Sequence, residues 1–244
     1  MKKSTIQSRN FFLSCVLLIL VIVLGFSIYR NANRTSVAQT SLQEQNQQIQ
    51  PHELDISVCN PTHGPFSLSI DNEYFPLPVG MVHVLEDSRS KVQISVLDQT
   101  ETVAGVITRA VEEREWEDGK LAEVSRNFFV QAPDGTVCYY GEDVDDYENG
   151  EIVGHGGAWR AGVGQNKPGI IMPAQPDVGQ IYQQEVAPGV AMDQAEHIGM
   201  DQSFTTPAGT FHNVLLVKET PPSTKRYQRG IGLIFDDGMV LTKY

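Results

Sequence analysis

The sequence predicts a mainly β protein: a single large curved antiparallel sheet, built as a meander of half-barrel or barrel-like form and preceded by one transmembrane helix. Three observations carry this expectation. Asp-Gly or Asn-Gly pairs at 118–119, 134–135, 149–150 and 237–238 separate strand-like runs, and such pairs supply the positive φ that tight hairpins need. Ala122, Val124, Phe128 and Val130 alternate with Glu123, Ser125, Asn127 and Phe129, which is the period of a half-buried strand. Finally, residues 11–29 form a nineteen-residue run without a charge, FFLSCVLLILVIVLGFSIY.

As a helix that run spans about 28 Å, the thickness of a bilayer's hydrocarbon core. Lys2, Lys3 and Arg9 precede it, and Arg30 and Arg34 follow. The positive-inside rule then leaves residues 1–10 in the cytoplasm and the bulk of the chain outside, as a single-pass protein of the cell membrane. Cleavage and secretion are the alternative. The run is longer than a cleavable leader's apolar core, and Tyr29-Arg30-Asn31 follows it in place of small residues. Residues 30–57 are polar and Gln-rich and cannot bury enough apolar area to offset their ordering entropy, so they read as a tether. The extracytoplasmic β domain is expected over 58–244.

Charge narrows the partners. The formal net charge is −12, and five of the 18 basic residues precede residue 37 whereas all 30 acids follow it. A body this acidic is repelled by nucleic acid and by anionic lipid, so no nucleic-acid partner is expected and the membrane is met through residues 11–29.

Further strand character lies at 81–86, 91–97, 106–116, 136–140, 180–186, 210–219, 226–235 and 239–244. Only Val190–Ile198 carries helix formers, with Gly199 to end the helix. Gly- and Pro-rich residues 154–188 predict a long ordered loop that wraps the sheet, anchored by Trp159, Ile170, Ile171 and Met172.

The segments EYFPLPVG (73–80), YGED and YENG (140–150), AWRAGVGQNKPGIIMPAQP (158–176) and GQIYQQEVAPGVAMDQAE (179–196) resemble a family of uncharacterised bacterial exported or membrane-anchored proteins. The pattern of that family runs YFPL-x-PG, GE-x(4)-Y-x-NG and PGI-x-MP; this chain departs from it at Val79-Gly80 and at Gln183. The resemblance spans about residues 70–244 and implies a location but no active site. A looser likeness, in TPAGTFHNVLLVKE (206–219), is to half-barrel lipoprotein carriers.

Candidate sites follow from residue types. Asp143, Asp145, Asp146 and Glu148, with Glu142, supply the oxygen ligands that Ca²⁺ prefers, but their order fails the EF-hand pattern and suits a solvated hairpin tip. No cofactor is predicted, and Ca²⁺ at this cluster is the alternative. His155, His197 and His212 lack the spacing of a metal motif. His197 near Met192, Met200 and Glu196 suggests Cu(I), but packing methionines beside an exposed histidine is the favoured reading. Glu142, Asp143 and His155 are the candidates for acid–base chemistry. Phe66, Tyr74, Phe75, Trp159, Ile170 and Met172 are the candidates for contact with an apolar ligand. Cys59 and Cys138 either form a disulfide or leave a buried thiol at Cys138; outside the membrane a disulfide persists.

No serine elbow or phosphate loop is present. The sequence therefore predicts an anchored accessory or binding protein that holds an apolar ligand or a cell-envelope protein. The alternatives are a cell-envelope hydrolase using acids of 142–148 with His155, and a metal-binding protein.

Overall fold

The structure, a computed structural model, describes residues 50–244. The expected basic terminus, the anchor at 11–29 and most of the tether lie outside the described residues. Among those described, no helix is long and apolar enough to cross a membrane.

The end of the expected tether is part of the fold. Residues His52–Glu53 form β1, and a 3₁₀ turn at Ile56–Cys59 follows, capped where Ser57 N donates to Asp55 Oδ1 at 2.8 Å. Cys59 is bonded to Cys138, with 5.5 Å between their Cα atoms. Tyr140 Oη donates to the Cys59 carbonyl at 2.7 Å, so the chain's entry is fixed to the strand that carries Cys138 and Tyr140. In the chain-entropy account, a bridge across 79 residues removes about 4–5 kcal/mol of unfolded-state entropy.

Four long strands then run back and forth. After β2 (Val82–Glu86) come β3 (Ser90–Val103), β4 (Val106–Glu117), β5 (Lys120–Gln131) and β6 (Val137–Glu148). The 118–119 and 149–150 turns hold positive φ at both residues, as two-residue hairpins require, and Ala104-Gly105 makes a third turn of this kind without Asn or Asp. The region 154–188 is not a wrapping loop. After β7 (Glu151–Gly154) and β8 (Trp159–Arg160), both paired to β6, it forms β9 (Lys167–Met172), β10 (Gln180–Gln183) and β11 (Glu185–Val186).

The helix expected at 190–198 is also absent. A turn closed by Ala187 and Ala191 leads into β12 (Gln194–Thr206), which pairs with β13 (Gly209–Thr220). Partner strands on both sides offer β12 ladder bonds, which override the weak helical preference of a short segment. The run expected at 226–235 is two strands, β14 (Ser223–Gln228) and β15 (Gly232–Asp236), split at Gly230, where φ is 77°. The last strand is β16 (Met239–Lys243).

These strands form one sheet in the order β1-β10-β12-β13-β14-β15-β16-β2-β3-β4-β5-β6-β9-β11. It is mixed, because β1 runs parallel to β10. No continuous ladder closes it. Its two ends nevertheless come to one stretch of chain: β10 pairs with β12, and β11, one residue further on, pairs with β9. Bringing both ends to residues 180–186 curls the sheet around a single core of buried residues, with Leu85, Val130, Leu215 and Ile234 among them.

Gly169 marks the tightest point of this junction. A Cβ there would overlap the backbone oxygens of Gln183 and Gln184. Replacing Gly169 with Ala is expected to lower stability by about 2 kcal/mol or more, a fall in Tm of roughly 5 °C for a domain of this size. Thermal unfolding followed by circular dichroism checks this; an unchanged Tm would show that the junction is slack.

Candidate functional site

Alternation puts every second side chain of a strand on the concave face of the sheet, and paired residues of neighbouring strands share that face. One such row is His83–Ile94–Glu113, on β2, β3 and β4; the next is Val111–Asn127–Glu142, on β4, β5 and β6. Opposite them, Lys225 of β14 pairs with Asp236 of β15. These residues line a cavity of about 260 Å³, together with Phe129, Tyr139, Ile171, Glu185, Asp193, Glu219, Tyr227 and Leu233. Contributions from ten of the sixteen strands mean that the sheet wraps around this space.

The segment before β2 closes one side. Asn72 is buried, accepts from the backbone N–H groups of Tyr74 and Phe75 at 3.0 and 3.1 Å, and donates to the carbonyls of Gly135 and Pro173. This fixes Phe75 against Phe129 and Tyr227, with ring centroids 5.4 and 6.2 Å away. One wall of the cavity is therefore aromatic.

The other wall is charged. Lys225 Nζ lies 3.0 and 3.1 Å from the two oxygens of Asp236 and 3.3 Å from Glu219 Oε2. Burial opposes its charge, but the two carboxylates outweigh burial and hold the ammonium protonated. Glu219 also accepts from Gln184 and Ser223. Glu113 accepts no hydrogen bond from another described residue. Burial, with Glu115, Asp236 and Glu142 nearby and Lys225 opposing, pushes its pKa up to about 8. Glu185 is raised to about 8 chiefly by burial, although the Asp193 N–H donates to it at 2.6 Å. Burial likewise lifts Glu142 to about 7. Tyr139 Oη donates to Asn127 Oδ1 at 2.6 Å, and Trp159 packs edge-on against the Tyr139 ring from outside the lining.

Of the residues expected to meet an apolar ligand, only Phe75 lines the cavity. Ile170, Met172 and Trp159 are core residues, Tyr74 is buried, and Phe66 packs on Tyr140; Ile171, between two expected residues, is the one that faces inward. Among the acid–base candidates Glu142 lines the cavity, whereas Asp143 pairs with Arg160 and the exposed His155 bonds to Val144 O and Asp145. The acidic run 142–148 is strand rather than hairpin tip, so its members alternate between faces; Asp146 is taken up by Gly156 N. Among the described residues no three His, Cys, Asp or Glu side chains converge to hold a metal.

His197 is fully buried, not exposed, and Met192 and Met200 are exposed, not packed. The β12–β13 register shifts between His197 and Gly199. The imidazole sits 3.2 Å from the Asp177 carbonyl through Nδ1 and 2.9 Å from Tyr182 Oη through Nε2. A carbonyl only accepts, so Nδ1 carries the proton and Nε2 accepts from the tyrosine. Burial lowers its pKa to about 4.

Sequence reasoning missed His83, Glu113, Asn127, Glu185, Lys225 and Tyr227. A signal exists for Glu113: Val111, Glu113 and Glu115 continue the inward alternation, but Glu112 and Arg114 make the outer face equally polar. Comparison with known proteins adds nothing to this geometry: no protein-family model, no curated protein and no solved structure matches the chain.

The raised carboxyls set a pH dependence. Between the unperturbed carboxyl value of 4.5 and about 8 the folded state holds protons that the unfolded chain has released, so stability falls as pH rises through that window. Neutral buried His83 and His197 act in the opposite sense, but only below the unperturbed 6.5. Tm should therefore fall from pH 6.5 to 8.5, and Glu113→Gln should flatten the fall. Thermal melts across that range test this, and a Tm that climbs with pH would contradict it.

Proposed function

We propose that this chain is a membrane-anchored extracytoplasmic binding protein, akin to the bacterial exported proteins whose motifs it shares, and that the curved sheet holds a small ligand in the cavity lined by Phe75, Glu113, Glu142 and Lys225. The observation that carries this reading is the cavity itself. A close-packed core leaves few voids larger than a water molecule, whereas this one measures about 260 Å³ and is lined by both aromatic rings and polar groups. That combination is the usual make-up of a ligand site. The Cys59–Cys138 bridge supports an oxidising compartment outside the membrane. The apolar run at 11–29 supports attachment. A hydrolase using Glu142 and His155 has less support, because His155 is not part of the lining.

The test is native mass spectrometry of the full chain extracted in mild detergent from its own membranes. A bound small molecule is expected, and it should be lost in Leu233→Trp, which fills the cavity while the Tm stays near that of the parent. A chain that carries nothing, or a molecule retained equally by Leu233→Trp, would overturn the reading.

A further inference from the structure

The electrostatics of the cavity are one-sided. Glu113, Glu142, Glu185, Asp193, Glu219 and Asp236 line it, and the only Lys or Arg among the lining residues is Lys225, already committed to Asp236 and Glu219. Four carboxyl groups are left without a cation. Once ionised, these carboxylates oppose an anionic ligand, so the charge that the wall can develop selects for its opposite.

The second observation concerns His83. It is only 4% exposed and lines the cavity, yet its ring nitrogens have no hydrogen-bond partner among the described residues; the ring makes only an edge contact with Tyr244. A buried side chain whose polar atoms meet no protein partner is open to bonding by what occupies the cavity. Burial lowers the pKa of His83, so the ring is neutral and one nitrogen is an acceptor. Glu113, likewise without a hydrogen bond, lies two strands away in the same row, with Ile94 between them. The two backbones are therefore about 10 Å apart, with both side chains on the concave face. A group rich in N–H above Ile94 meets an acceptor on either side. The rings of Phe75, Phe129 and Tyr227 line the same space, with Leu77, Ile171 and Leu233. Its volume holds about nine water-sized groups.

We propose that the ligand is a small amphipathic amine, whose protonated ammonium group sits between Glu113 and His83 and whose short apolar body packs on the aromatic wall. This rests on the binding function proposed above and names its ligand class. A bare metal ion fits less well, because the acids are spread around the wall and no three converge among the described residues. The groups facing Glu113 are Glu115, Glu142, Lys225 and Asp236. Glu113, Glu142 and Glu185 hold protons in the empty cavity near neutral pH, and an arriving ammonium displaces them. Affinity therefore rises with pH from 7 to 8.5, and binding releases protons to the buffer.

Calorimetry of the full chain in detergent tests this with three probes of matched size: 2-phenylethylammonium, neutral 2-phenylethanol and anionic phenylacetate. The ammonium should bind at least tenfold more tightly than either of the others at pH 8.5, with an enthalpy that varies with the ionisation heat of the buffer. Glu113→Gln should weaken it about tenfold without lowering the Tm, and the exposed control Glu117→Gln should leave it unchanged. Equal or tighter binding of phenylethanol or phenylacetate would overturn the amine assignment and leave the binding function standing. Failure of all three probes, with a non-amine molecule carried by the chain from its membranes, would do the same. Failure of all three with an empty chain would overturn both.

Discussion

Everything in this molecule depends on seven residues, 180–186, serving both ends of one sheet. A sheet of many strands twists, and its twist must be taken up by curling, splitting or flattening. Here it is taken up by curling, because β10 pairs with one end and β11 with the other. Gln184, between them, carries the junction: its N–H donates to the Asp193 carbonyl at 2.8 Å and its side chain to Glu219 Oε1 at 3.0 Å. Gly169 allows the approach, since no other residue lacks the Cβ that would meet the backbone of 183–184. The concavity, and hence the cavity, follows from that meeting.

Curling places long strands around a space too wide for their side chains to fill with hydrocarbon, and the chain has put carboxyl groups there. Burying charge is costly unless it is paired, and unpaired groups respond by holding a proton. Both responses occur within one wall. Lys225 keeps Asp236 and Glu219 company, whereas Glu113 and Glu185 are driven towards the neutral form. A pocket that served only to complete a core would be lined by leucine and valine. The cost of this one in folded-state stability is the kind that proteins carry at working sites.

The strands and their turns were legible in the sequence because hairpins write their own punctuation. Asp118-Gly119 and Asn149-Gly150 turn where the dipeptide says they do. Ala104-Gly105 turns without it, held there by the pairing of β3 with β4, a long-range cause that no local pattern reports. The segment 190–198 failed for the same reason in reverse: its helix formers lose to a ladder supplied by β10 and β13. The cavity was least legible. Glu113 sits between Glu112 and Arg114, and only the register with Ile94 and Ser125 says which of these faces inward. Phe75 was visible as an aromatic in a Pro-rich turn, but its orientation comes from Asn72, whose partners lie as far away as Pro173.

The bridge between Cys59 and Cys138 also reroutes mechanical tension. A pull on the chain from the N-terminal side travels through Cys59 and crosses directly into β6, skipping everything from residue 60 to 137. The strands β2 to β5, which supply His83, Ile94, Val111, Glu113 and Phe129 to the cavity wall, lie wholly within that bypassed stretch. Tension applied from that side therefore reaches the pocket through the sheet's own lateral bonds, not by unravelling those strands end to end.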